Sequence, residues 1–197
     1  MYQTKLILAR ISAFACVLCS MLLVGCAQIQ LGAPVASADN IQKAKTSGLP
    51  GANVGNFVLA AGKDAKLDKS LDIRSNTVTA PTGSSFAAYL KETLITELKA
   101  AGLLNPDSQI VISGQLTDSQ VDSAMAGGSG RLAARFSVTN AGRVVFDKEL
   151  VATDKWESSF VGAVAIPAAI NNYSALYRKL VGNLLDDTDF RRAVAGK

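Results

Sequence analysis

The 197-residue sequence predicts an α+β fold, a two-layer sandwich in which two amphipathic helices cover a mostly antiparallel sheet of about four to five strands. Three observations lead there. Apolar residues recur every fourth position over 84–101, the spacing of one helix face. Residues 109–117 and 131–139 alternate apolar and polar, as half-buried strands do. The tripeptide Asn140-Ala141-Gly142 reads as a tight turn that sends the chain back along 143–153 as a partner strand.

The elements follow in order. Residues 27–55 are rich in Ala, Gly, Ser, Asn and Pro and show no sustained period. They read as a flexible tether, with a short packed helix over 39–46 as the alternative. A coil of that length spans on the order of 30 Å. Residues 56–61 predict a first strand and 73–79 a second, ended by Pro81-Thr82-Gly83. Between them, Asp64, Asp68 and Asp72 alternate with Lys63, Lys66 and Lys69. Interleaved opposite charges describe a solvated face, because a calcium loop needs a different aspartate spacing.

The helix over 84–101 takes Ser84 or Ser85 as its cap, buries Phe86, Leu90, Leu94 and Leu98, and stops at Gly102. Residues 118–130 read as a flexible, glycine-rich loop between two strands. A last helix is expected over 167–185, with Pro167 in its first turn and Tyr173, Leu176, Tyr177, Leu180 and Leu184 buried.

Composition narrows the chemistry. There is no histidine, so the commonest general base and metal ligand is missing. No Ser-x-x-Lys and no Gly-x-Ser-x-Gly spacing occurs, and Gly62-Lys63 lacks the flanking residues of a phosphate loop. The pair Asp186/Asp187 near a helix end is expected to be solvated. These features predict a non-enzyme with no catalytic residues, no cofactor and no metal.

The N-terminal residues carry a more specific signal. Residues 1–10 hold Lys5 and Arg10 and no acid, and 11–24 form an uncharged apolar run. That run suits a signal sequence and is too short for a comfortable membrane span. It ends in Leu22-Leu23-Val24-Gly25-Cys26. The pattern resembles the bacterial lipobox, in which the cysteine sulfur takes up diacylglycerol and cleavage follows the small residue. The organisation expected is therefore a cleaved signal peptide at 1–25, lipidated Cys26 with a tether to residue 55, and a single periplasmic domain over 56–197. Cleavage would leave 172 residues with a net charge of +2, since Lys5 and Arg10 leave with the leader. So weak a charge argues against nucleic acid as a partner. Cys16 and Cys19 would leave too, so Cys26 would be the remaining thiol and no internal disulfide could form. Ala27, rather than aspartate, follows the cysteine. In the lipoproteins this resembles, that residue implies the outer membrane, with the inner membrane as the alternative.

Two features are candidate contacts. The segment 156–170 holds the single tryptophan, Trp156, followed by Phe160, Val164 and Ile166 in a nearly uncharged run. It is either a buried crossover into the last helix or an exposed apolar lip for a protein, lipid or glycan. Arg131 and Arg135 share one strand face. Pairing with Asp147 and Glu149 across the hairpin is the expected role, and contact with an anionic head group or glycan is the alternative.

With the lipobox at Leu23–Cys26, the helix Phe86–Gly102, the strand Ile110–Leu116, the glycine-rich loop into Arg131–Val138 and the final helix, the chain resembles small outer-membrane lipoproteins of the YajG type. The resemblance spans most of 55–190, and its specific motif is the lipobox. It implies an accessory or binding module of the cell envelope, lipid-anchored on the periplasmic side, with an envelope protein as partner. Cys26 is the residue it carries over.

Overall fold

The computed structural model describes residues 28–81, 85–124 and 127–195. The leader and Cys26 lie outside the described residues. The observed architecture is α+β, as expected, but it contains two sheets rather than one.

The larger sheet has four strands in the order β2-β5-β6-β7: β2 Asn53–Leu59, β5 Ile110–Asp122, β6 Gly128–Asn140 and β7 Arg143–Trp156. β5, β6 and β7 form an antiparallel meander, and β2 adds to β5 in parallel. The smaller sheet has the order β1-β4-β3: β1 Gln28–Gln30, β3 Ser70–Ile73 and β4 Asn76–Thr79. The single strand expected over 73–79 is thus a hairpin, turned at Arg74-Ser75, with Arg74 at φ 55. β1 pairs β4 in parallel, Gln28 opposite Thr77.

Two helices cover one face of the larger sheet. α2, Phe86–Ala101, lies over β2 and β5, and α3, Gly162–Asp186, lies over β6 and β7. α2 forms where its stripe predicts: Ser85 accepts the Ala88 N–H as cap, and Gly102 ends it at φ 74. Phe86, Leu90, Leu94 and Leu98 are fully buried. So are Tyr173, Leu176, Tyr177, Leu180 and Leu184 of α3. Phe86 and Tyr89 of α2 meet Tyr173 and Tyr177 of α3 edge to face, with ring centroids 5.6 and 4.8 Å apart. A short helix α4, Thr188–Val194, folds back so that Phe190 packs on Phe146 of β7.

The expected tether over 26–55 is corrected from Gln28 onward. The chain enters β1 at once, and then forms α1, Ala38–Thr46, seated on α2 and α3 as an outer layer. Its stability comes from polar atoms that composition does not reveal. Ser37 accepts the Asn40 N–H as cap. The carboxylate of Glu97, fully buried on α2, accepts the Ser37 N–H at 3.1 Å and the Asn40 side-chain amide at 2.9 Å. That amide also donates to the Arg178 carbonyl of α3 at 2.9 Å. A carboxylate from another helix thus does what a local capping box does elsewhere.

The loop expected over 118–130 is corrected as well. β5 continues to Asp122 and β6 begins at Gly128, paired as far as Asp122 opposite Ser129, with residues 125–126 outside the described set. A β-bulge between Leu116 and Asp118 lets the polar second half continue the ladder.

Candidate functional site: the Phe160 tip and the open sheet face

The uncovered face of the larger sheet presents Arg131 and Arg135, both exposed. Arg135 forks onto Asp147 of β7, Nε to Oδ1 at 2.6 Å and Nη2 to Oδ2 at 2.8 Å. This side chain holds the Asp147 carboxyl below its usual range. The expected pairing is therefore present for Arg135 with Asp147, two residues along β7 from its register partner Glu149 and on the same face. Arg131 differs: it donates to Asp118 of β5 at 2.8 Å, because the bulge carries that carboxylate towards it. Both guanidinium groups are neutralised on the sheet. Around them lie Ser113, Gln115 and Ser137, a shallow polar depression with small side chains.

At one end of the sheet the segment 156–170 divides. Trp156 is half-buried, its indole lying against Gly128 and Gly130 of the neighbouring strand. A Cβ at Gly128 would overlap the ring, so the two glycines create the space. The Trp156 Nε1 is buried without a hydrogen-bond partner. Ile166 packs against the core. These two residues follow the buried-crossover reading. Phe160 and Val164 do not: they are 74% and 59% exposed, beside Val161 at 59%. Helix α3 starts five residues before Pro167, so this proline lies inside it. Lacking an N–H, Pro167 leaves the Ala163 carbonyl without its helical donor. No side chain caps the helix start at Val161.

The tip is held from behind by a residue that no sequence motif singles out. Arg74, at the β3–β4 turn, donates to the Ser159 carbonyl at 2.6 Å, the Phe160 carbonyl at 3.3 Å and the Ser123 carbonyl at 3.2 Å. The guanidinium ties the small sheet, the β5 end and the tip together through backbone oxygens and leaves the apolar side chains outward. A basic residue in a polar Arg-Ser-Asn turn marks the hairpin, but nothing local links it to residues 85 positions away.

Several other titratable groups hold the fold together. Asp64 caps a 3₁₀ turn, Asp72 pairs with Lys66, and Asp68 accepts the Ala87 N–H at 2.7 Å at the start of α2. The three aspartates point to three different tasks. Among the described residues no group of His, Cys, Asp and Glu is arranged to hold a metal ion. Ser119, Tyr173 and Tyr177 share a chain of hydroxyl bonds at 2.7 and 2.6 Å, and burial pushes both tyrosines far above their usual range. Asp187, expected in solvent, is largely buried and caps α4, while Asp186 pairs with Lys43 and Arg191. Desolvation raises the Asp187 carboxyl, but Lys148 and the N–H groups of Phe190 and Asp189 more than offset this and hold it below its usual range. No described helix is long and apolar enough to cross a membrane.

No protein-family model and no curated protein matches this chain. Solved structures do. The chain is similar to protein XCC0632 from Xanthomonas campestris, of the DUF330 family, at 12% identity and a TM-score of 0.53, over 81% of this chain and 95% of that one. A minor lipoprotein from Acinetobacter baumannii overlaps at 15% identity and a TM-score of 0.36, over 73% of this chain and 90% of that one. The first of these shares the fold.

Proposed function

We propose that this chain is a lipid-anchored, non-catalytic module of the bacterial cell envelope, held by Cys26 at the periplasmic face of the outer membrane and binding an envelope protein. The observation that carries the reading is the order of its N-terminal signals: a basic start, an apolar run without charge, then Leu-Leu-Val-Gly-Cys. Two or three acyl chains bury tens of methylenes at about 0.8 kcal/mol each, which makes attachment effectively permanent. The open sheet face is the surface offered to a protein partner, because its small side chains and internally paired charges can be covered without stranding a buried charge.

Replacement of Cys26 tests this reading. Cys26→Ser is expected to abolish incorporation of labelled fatty acid, leave the unprocessed precursor and change its membrane fractionation. Normal processed size and fractionation in that variant would overturn the reading. For the partner, a photo-crosslinker at Ser137 on the open face is expected to capture one envelope protein, and a crosslinker at the buried Leu98 none.

A further inference from the structure

Strand β1 and the exposed apolar tip both meet the β3–β4 hairpin at its Arg74-Ser75 turn. The chain enters β1 at Gln28, which pairs with Thr77 just after the Arg74-Ser75 turn. Because β1 runs parallel to β4, the chain before Gln28 arrives from the side of that turn. The same turn supplies the Arg74 guanidinium that grips the carbonyls of Ser159 and Phe160. Thus the N-terminal entry and the side chains of Phe160, Val161 and Val164 share one end of the molecule. The β6–β7 turn at Asn140–Arg143 lies at the other end of the larger sheet, since β6 runs from Gly128 opposite Trp156 to Asn140 opposite Arg143.

Cys26 stands two residues before Gln28. Consecutive Cα atoms are about 3.8 Å apart, so the Cα of Cys26 lies no more than about 8 Å from that of Gln28. A long coil would have lifted the domain clear of lipid, but a strand that begins at Gln28 gives it no such slack. We propose that Phe160, Val161 and Val164 insert into the lipid surface to which Cys26 is anchored, so that the domain sits end-on against the bilayer with its open sheet face held beside the membrane rather than against it. This rests on the anchoring at Cys26 argued above.

Three features favour lipid as the occupant. All three side chains are more than half exposed and together make an apolar ridge at the start of α3: Phe160 and the N-cap Val161 precede the helix, and Val164 lies in its first turn, three residues after Val161. The loop behind them carries its polar bonds inward to Arg74, so the ridge can enter an apolar medium with those carbonyls already satisfied. The two-residue link makes insertion intramolecular, so a small apolar ridge too weak to bind membranes alone is sufficient once the chain is attached.

The test uses the mature acylated chain reconstituted in vesicles of phosphatidylethanolamine and phosphatidylglycerol. With the leader cleaved and Cys26 acylated, an introduced cysteine is the single free thiol. A bimane fluorophore at Phe160→Cys is expected to be quenched by lipids spin-labelled near the headgroup about threefold more than the same fluorophore at Val144→Cys beside the far turn. Bimane at Val161→Cys reports a second time, and its quenching is expected to fall to the Val144 level when Phe160→Ser and Val164→Ser are added, both being exposed changes that leave the core intact. Equal quenching at 160 and 144 in protein that carries its acyl mass and floats with vesicles overturns the insertion and leaves the anchoring standing. Protein whose intact mass lacks the acyl chains overturns both. Capture of a protein by a crosslinker at Phe160 in cells, without lipid quenching, would assign the ridge to a protein partner and overturn the lipid assignment.

Discussion

The N-terminal brace, residues 28–46, and the tip at 156–164 use side chains in opposite ways. The brace is polar in composition and yet tightly built in, through a fully buried carboxylate at Glu97 that satisfies Ser37 and Asn40. The tip is apolar in composition and yet turns Phe160, Val161 and Val164 outward, held by Arg74 mainly through backbone carbonyls. Burial follows from which partners the tertiary structure supplies, and side-chain polarity by itself settles neither case.

The contrast can be broken first at the brace. Glu97→Ala strands the Ser37 N–H and the Asn40 amide in a buried site and should cost about 3 kcal/mol. Thermal unfolding should register the loss, and hydrogen exchange should place it in α1. If exchange in α1 were unchanged, the brace would not depend on that carboxylate. At the inner edge of the tip, Gly128→Ala drives a methyl group into the Trp156 indole and should cost about 1–3 kcal/mol by overpacking. The emission of the single tryptophan should shift to the red as the ring is displaced.

A smaller effect comes from acid. The Asp187 carboxyl is held below its usual range in the fold, so its contribution is present above the ordinary carboxylate pKa and fades as pH falls through the lowered value. The docking of α4 should therefore loosen below about pH 4. Circular dichroism of Asp187→Asn should show that part of the acid response removed. Smallest of all, Phe160→Ser should leave stability within about 0.5 kcal/mol, as an exposed side chain with no internal contact to lose. A substantial fall in melting temperature would mean that the tip packs inward after all.

The same contrast explains what the sequence made legible. The α2 stripe and the alternation over 131–139 are local, repeated signals, and both elements appear where those signals lie. The brace reads as coil, with the packed helix over 39–46 only as the alternative, because its fixing atoms come from Glu97 and Arg178, far away along the chain. The second half of β5 reads as loop because Asp118, Ser119 and Gln120 look like turn residues. Their pairing to β6 and the Ser119–Tyr173 bond become visible only in three dimensions. For the candidate residues, Arg135 met its expected carboxylate because cross-strand neighbours can be counted from a turn. Arg131 did not, because it stands opposite Thr153, four residues beyond Glu149, and the bulge in β5 brings Asp118 to it instead. Pro167 suggested a helix start and so concealed the exposed first turn ahead of it.

The parallel pairing of β1 with β4 and of β2 with β5 has a consequence for the order of assembly. The meander β5–β7 joins neighbours in the chain and closes short loops, whereas β1 and β2 must wait for distant partners to be made. The first strands synthesised thus stay unpaired while about fifty residues of chain are added after them. Until the hairpin of the small sheet and the β5 edge exist, they travel as open chain, available to any chaperone that recognises an extended, unsatisfied backbone.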